Sequence, residues 1–161
     1  MDLTAFYATV SGLGFTLLGL WWLVADRHEE WFADRERGRM AYVVSLHFMI
    51  PATMSLLSLV APDVSTAWRV VFAILGLTGI AGTLLLARNV AQTRATLAGV
   101  AVAVAMPVYV LVVLVAAFPD LSDLVDLTPL QVEAFLLTGV LLLGLHAAWY
   151  FAHEDARNAP T

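Results

Sequence analysis

Two histidines stand inside apolar stretches of this 161-residue chain: His47 in MAYVVSLHFMIPATMSLLSLV and His146 in LTGVLLLGLHAAWY. An ionisable side chain in such a setting is expensive, so each is a candidate for function. Pro51 follows His47 by four residues and has no N–H to give to the His47 carbonyl, so one position offers an imidazole and a freed oxygen. Ser55 and Ser58 continue along that face, with Met40 and Met54 a heptad to either side of His47. On the other stretch, Tyr150 and His153 share a helical face with His146.

Such a pair can do three kinds of chemistry. It can relay or gate protons, it can supply two axial ligands to a haem b, or it can anchor a lipid or quinone headgroup. The structural alternative is a pair of neutral imidazoles bonded to nearby carbonyls or to Tyr42, Ser45 or Tyr150. Zinc is short of ligands here, and Met40, His47 and Met54 are spaced ~10 Å apart along one helix, too far to share a copper ion. No cofactor is expected beyond the haem alternative.

Acidic residues form the second candidate. Asp120, Asp123, Asp126 and Glu133 gather around one connection, where they could concentrate cations at a pore mouth. The plainer account is that translocated loops exclude arginine and tolerate acids.

The elements that must position these groups follow from composition. Hydrophobic residues make up 61% of the chain and charged ones 13%, with a mean hydropathy of +0.84, which is the signature of a membrane protein. Apolar runs near 3–24, 40–60, 67–87, 97–118 and 129–152 are each long enough to cross a ~30 Å hydrocarbon core as a helix. The fold expected is therefore all-α: a polytopic, five-transmembrane-helix bundle forming a single membrane domain, with a short tail over 153–161 that is disordered from about Asp155.

The first span has no basic leader region and no A-x-A-like cleavage site, so it is expected to persist. Arg27, Arg35, Arg37, Arg39, Arg88, Arg94 and Arg157 fall on one side of this threading and Arg69 alone on the other. That asymmetry predicts the N-terminus outside and the C-terminus in the cytoplasm, in a prokaryotic plasma membrane. His47 and His146 then lie at a common depth, ~9–11 Å below the cytoplasmic surface.

Local signals refine the helices. Thr128, Pro129 and Gln131 read as cap, first-turn proline and capping-box acceptor of the last span. Gly38 reads as the stop of a cytoplasmic extension of the first helix, with Asp34 and Arg37 paired along it. Gly12 and Gly19 on the first span, and Gly76 and Gly79 on the third, read as helix-packing positions. The fourth span has little polarity beyond Tyr109 and Pro107 and is expected to face lipid or a partner.

Composition also excludes functions. The formal charge of -5 and the absence of lysine argue against nucleic-acid binding, and the lack of lysine removes Schiff-base and P-loop chemistry. Without cysteine there is no disulfide, thiolate metal site or thiol nucleophile. No hydrolase, zincin or P-loop motif occurs, so an enzyme is not expected. The function expected is a small oligomeric channel or transporter-like protein for protons or small cations, with His47, His146, Ser55, Ser58 and Tyr150 as pathway or gate. The alternatives are a haem- or quinone-binding subunit of a redox complex and a non-catalytic membrane scaffold.

Overall fold

A computed structural model describes residues 2–60, 64–93 and 96–158, with side chains described for 2–60, 64–85 and 103–153. Asp63, Arg94 and residues 159–161 lie outside the described residues, as do the side chains of Arg88 and Arg157. The chain is an all-α helical bundle. Its helices are α1 (Leu3–Asp26), α2 (Glu29–Ala33), α3 (Arg35–Val60), α4 (Ser65–Thr93), α5 (Thr96–Ala117) and α6 (Pro129–Asn158), with a 3-10 turn at Pro119–Val125. Within the described residues, α1, α3, α4 and α6 are each long and apolar enough to cross a membrane. The Ala103–Ala117 part of α5 qualifies together with the 3-10 turn, from which it is bent by 111°.

Helix α1 packs on α3, α3 on α4 and α4 on α5, the short α2 lies against α3, and α6 closes the ring by touching α5, α3 and α1. The bundle is built around α3, which carries a run of buried residues from Val43 to Phe48 and again from Ile50 to Ala52. Pro51 is buried inside α3 without ending it. In lipid, helices adhere where small residues let backbones approach, and the glycines show where. A Cβ at Gly14 of α1 would lie 2.8 Å from the Ala52 Cβ, and one at Gly82 of α4 would lie 2.8 Å from a Leu46 methyl. Gly76 and Gly79 form the α4/α5 seam: the first receives Val113 and Val112, the second the Tyr109 ring.

Gly12 and Gly19 do not pack as the sequence suggested, since nothing lies within 4 Å of a Cβ at either. The buried face of α1 is Tyr7, Val10, Ser11, Gly14, Leu18, Trp21 and Ala25, a heptad-like stripe well round the helix from Ala8, Gly12, Thr16 and Gly19. That buried stripe combines both devices, a small residue, Gly14, for close approach to Ala52 and the bulky Tyr7, Leu18 and Trp21 for dispersion contact, whereas the stripe of Ala8, Gly12, Thr16 and Gly19 has no bulky member.

Other expectations are corrected. The first helix does not continue toward Gly38. Its last turn closes with Arg27 N–H on the Val24 carbonyl, and Asp34 then caps a new helix, its Oδ1 accepting the Glu36 N–H at 2.9 Å. Gly38 lies inside α3. The intervening α2 is held by Trp31, fully buried against Trp21, His28 and Phe151 at centroid distances of 5.8, 4.3 and 4.6 Å. The tail, expected to be disordered from about Asp155, continues as helix to Asn158. The fourth span, expected to face lipid or a partner, leaves Val104, Val110, Leu111 and Leu114 exposed but also turns Ala105, Tyr109, Val112, Val115 and Ala116 into the bundle. The capping box of α6 is present, with the Thr128 N–H on Gln131 Oε1 at 2.9 Å and the Gln131 N–H on Thr128 Oγ1 at 3.3 Å.

Candidate functional site

The polar side chains of the bundle sort by where their hydrogen bonds go. Thr9, Thr16, Ser45, Ser58, Thr78, Thr83 and Thr138 each donate to the carbonyl four residues back. All four histidines do the same through Nδ1, among them His47 on Val43 at 3.0 Å and His146 on Leu142 at 2.8 Å. A carbonyl partner requires the Nδ1–H tautomer, which leaves Nε2 as an acceptor.

The two histidine helices are in contact. A Cβ at Gly144 would lie 2.8 Å from the His47 Cβ, so α3 and α6 meet at the depth of His47. The imidazoles nevertheless point apart: His47 is buried, and His146, two residues beyond Gly144, lies on the exposed face of α6 with Leu142 and Trp149. One hundred degrees per residue explains it, since two steps turn the side chain to the far side of the helix. Tyr150 is half-buried, and Ser58 is buried with its hydroxyl on the Met54 carbonyl.

His47 flanks a cavity of about 20 Å³ lined by Val43, Val44, Thr83, Ala105, Leu143 and Ala147. That is room for one water, whereas pockets for cofactor-sized ligands run to roughly 300–1,000 Å³. With its imidazoles facing opposite ways, one chain does not form a bis-histidine haem site. The edge of the His47 ring meets Tyr109, with centroids 5.8 Å apart. Sequence reasoning gave Tyr109 no part in the site, although Gly79 provides the space that its ring fills.

At the acidic end, Asp120, Asp123 and Asp126 are exposed, and among the described residues no three His, Cys, Asp or Glu side chains converge on a metal-sized site. Exposed Phe118, Leu121, Leu124 and Val125 alternate with these acids. Arg69 is committed to the end of α5, donating from Nε to the Ala116 carbonyl at 2.7 Å and from Nη2 to Ala117 at 2.8 Å, where a cation suits the helix dipole.

Glu133 is not part of that exposed rim. It is fully buried, and neither carboxyl oxygen has a hydrogen-bond partner. Its face of α6 is the one that carries Leu137, Val140 and Gly144 into the bundle, a spacing visible in the sequence once Gly144 is placed at the interface. Tyr7 of α1 lies within electrostatic reach of Glu133 and donates its hydroxyl to the Leu130 carbonyl at 2.7 Å. The Ser55 hydroxyl, fully buried on α3, is also without a partner. From the Gly144–His47 contact, Glu133 lies eleven residues up α6 and Ser55 eight up α3, ~16 and ~12 Å by helical rise, so the two share one level of the bundle.

No protein-family model, curated protein or solved structure matches this chain.

Proposed function

We propose that the chain carries protons or small cations in a membrane, with the Glu133 carboxyl as the ion-binding group. One observation carries the reading: an acid on a membrane-length helix, fully buried, with both oxygens unbonded. A group so costly to bury and with no structural bond to make has its use in binding something that comes and goes. His47 keeps a supporting place as a buried base beside a one-water cavity, with Ser55 and Ser58 along its helix. His146 and Tyr150 lose the role that the sequence suggested. The exposed Asp120, Asp123 and Asp126 suit an attractor at the entrance nearest Glu133. The arginine distribution supports an N-terminus outside.

The test is ion flux in liposomes. Purified wild-type chain should dissipate an imposed proton or cation gradient, Glu133→Gln should slow this at least tenfold, and His146→Ala should leave it unchanged. Wild-type flux equal to that of empty vesicles overturns the reading. A second reading, a non-conducting assembly partner, is favoured by the uncovered face of α1, where Ala8, Gly12, Thr16 and Gly19 meet no other helix of the chain. It predicts no flux, and cross-linking between copies or to a partner through cysteine at Gly12.

A further inference from the structure

Resting on that reading, we infer that the ion is the proton, with Glu133 and His47 as its two stations on the α3/α6 seam. An alkali or divalent cation leaves water only where several oxygens replace its hydration shell. Glu133 offers two, and among the described residues no other polar atom lies within hydrogen-bond distance of either. A proton needs no such cage, because one covalent O–H bond to the carboxyl holds it.

The surroundings fit a neutral acid. A bare carboxylate in an apolar setting has nothing to offset its lost hydration, whereas the carboxylic acid loses far less. The titratable groups on the elements packed against α6 are Tyr7 and Asp26 on α1, Arg35, Glu36, Arg37, Arg39, Tyr42 and His47 on α3, Tyr109 on α5 and the exposed Asp120 and Asp123 of the 3-10 turn. The three arginines stand at the opposite end of α3, ~24–30 Å along the helix from Ser55, so none brings a fixed positive charge to Glu133. Arg69, on α4, is not on a helix that touches α6.

Onward transfer has acceptors already in place. The unpartnered Ser55 hydroxyl lies within a helical turn of Glu133 in height, and through a bridging water it can take a proton on Oγ while releasing its own, so one O–H bond forms as another breaks. At the far station, Nδ1 of His47 is fixed by Val43, leaving Nε2 to accept, and the adjoining cavity has room for one water. The Tyr109 hydroxyl, also unpartnered, belongs to the ring that meets His47. The stations are ~16 Å apart along the helices, a gap that water entering the seam must join.

Two measurements decide. In liposomes, proton flux should be the same in choline, sodium and potassium media and should fall at least tenfold in Glu133→Gln and at least threefold in His47→Phe. Sodium or potassium flux that depends on Glu133 overturns the proton inference and leaves Glu133 as an ion-binding group. Absence of any flux overturns both. Wild-type chain, which needs no variant to fold, should also be labelled at Glu133 by dicyclohexylcarbodiimide, a reagent for protonated carboxyls in apolar surroundings. Excess sodium chloride should not slow that labelling. Protection by sodium, or no labelling, overturns the inference.

Discussion

In the arginine-rich half of the bundle every histidine is bonded to its own helix, and in the acidic half Glu133 is bonded to nothing. Both kinds of residue are polar groups on long apolar helices, so polarity alone does not separate them. The distinction lies in donor against acceptor. A helix interior shows its side chains only carbonyl oxygens, because its N–H groups are already taken. Serine, threonine and Nδ1-protonated histidine can donate to those oxygens, as Ser45, Ser58, Thr83 and His47 do, and Ser55 is the buried exception. An ionised carboxylate only accepts, so it must find a donor on another helix, bind a cation, or hold a proton. Among the described residues, the ionisable groups in the spans left without a bond are Glu133 and the Tyr109 hydroxyl, and of the two only Glu133, when ionised, has no proton of its own to donate.

The widest separation should come from charge reversal. Glu133→Arg places a guanidinium among apolar neighbours, and loss of an unpaired buried charge's solvation costs about 3–5 kcal/mol. No monodisperse protein is expected in size-exclusion chromatography, whereas a well-folded variant would mean that donors or water reach this site. Glu133→Leu should act in the opposite sense, raising thermal stability in detergent by about 1–3 kcal/mol while abolishing flux, because an unsatisfied acceptor is removed. A drop in melting temperature for this variant would reveal a structural partner and weaken the contrast with the histidines.

Intermediate effects are expected where the histidine helices touch. Gly144→Ala pushes a methyl onto His47 and Phe48 and should cost about 1–3 kcal/mol, and His47→Ala should cost a similar amount by enlarging the cavity beside it. The smallest effects belong to the exposed positions. His146→Ala and Gly12→Ala should each change stability by less than about 0.5 kcal/mol, as measured by thermal melting in detergent. A large loss in either would mean that a second molecule covers that face.

Much of the architecture was legible as sequence because spans are read along a line. Apolar length located the membrane-length segments, and Thr128 and Gln131 marked the start of α6 to the residue. What sequence reading misassigned were angles about the helix. Gly12 was taken for Gly14, His146 was turned inward, and Glu133 was set among the surface acids. In water, a polar face tells the reader which side of a helix is out. In lipid both sides are apolar, so Leu20 and Leu18 of α1 look alike although one is exposed and the other buried. The break at Arg27 was hidden for another reason: Asp34 suits either a helix interior pair or a helix cap, and only the clamp on Trp31 selects the cap.

The position of α6 has a consequence for how this protein is made. It follows the other described helices in the chain, yet it supplies the Leu130 carbonyl to Tyr7, Gly144 to His47 and Phe151 to Trp31. Synthesis proceeds from the N-terminus, so the earlier helices enter the bilayer with a continuous vacant slot running from one leaflet to the other. During that interval the nascent chain exposes a tyrosine hydroxyl, an imidazole and an indole to lipid, which makes it a client for any insertase or chaperone that shields polar groups in the bilayer. A ribosome stalled before residue 129 should hold such a helper, and release it once α6 is supplied as a separate fragment.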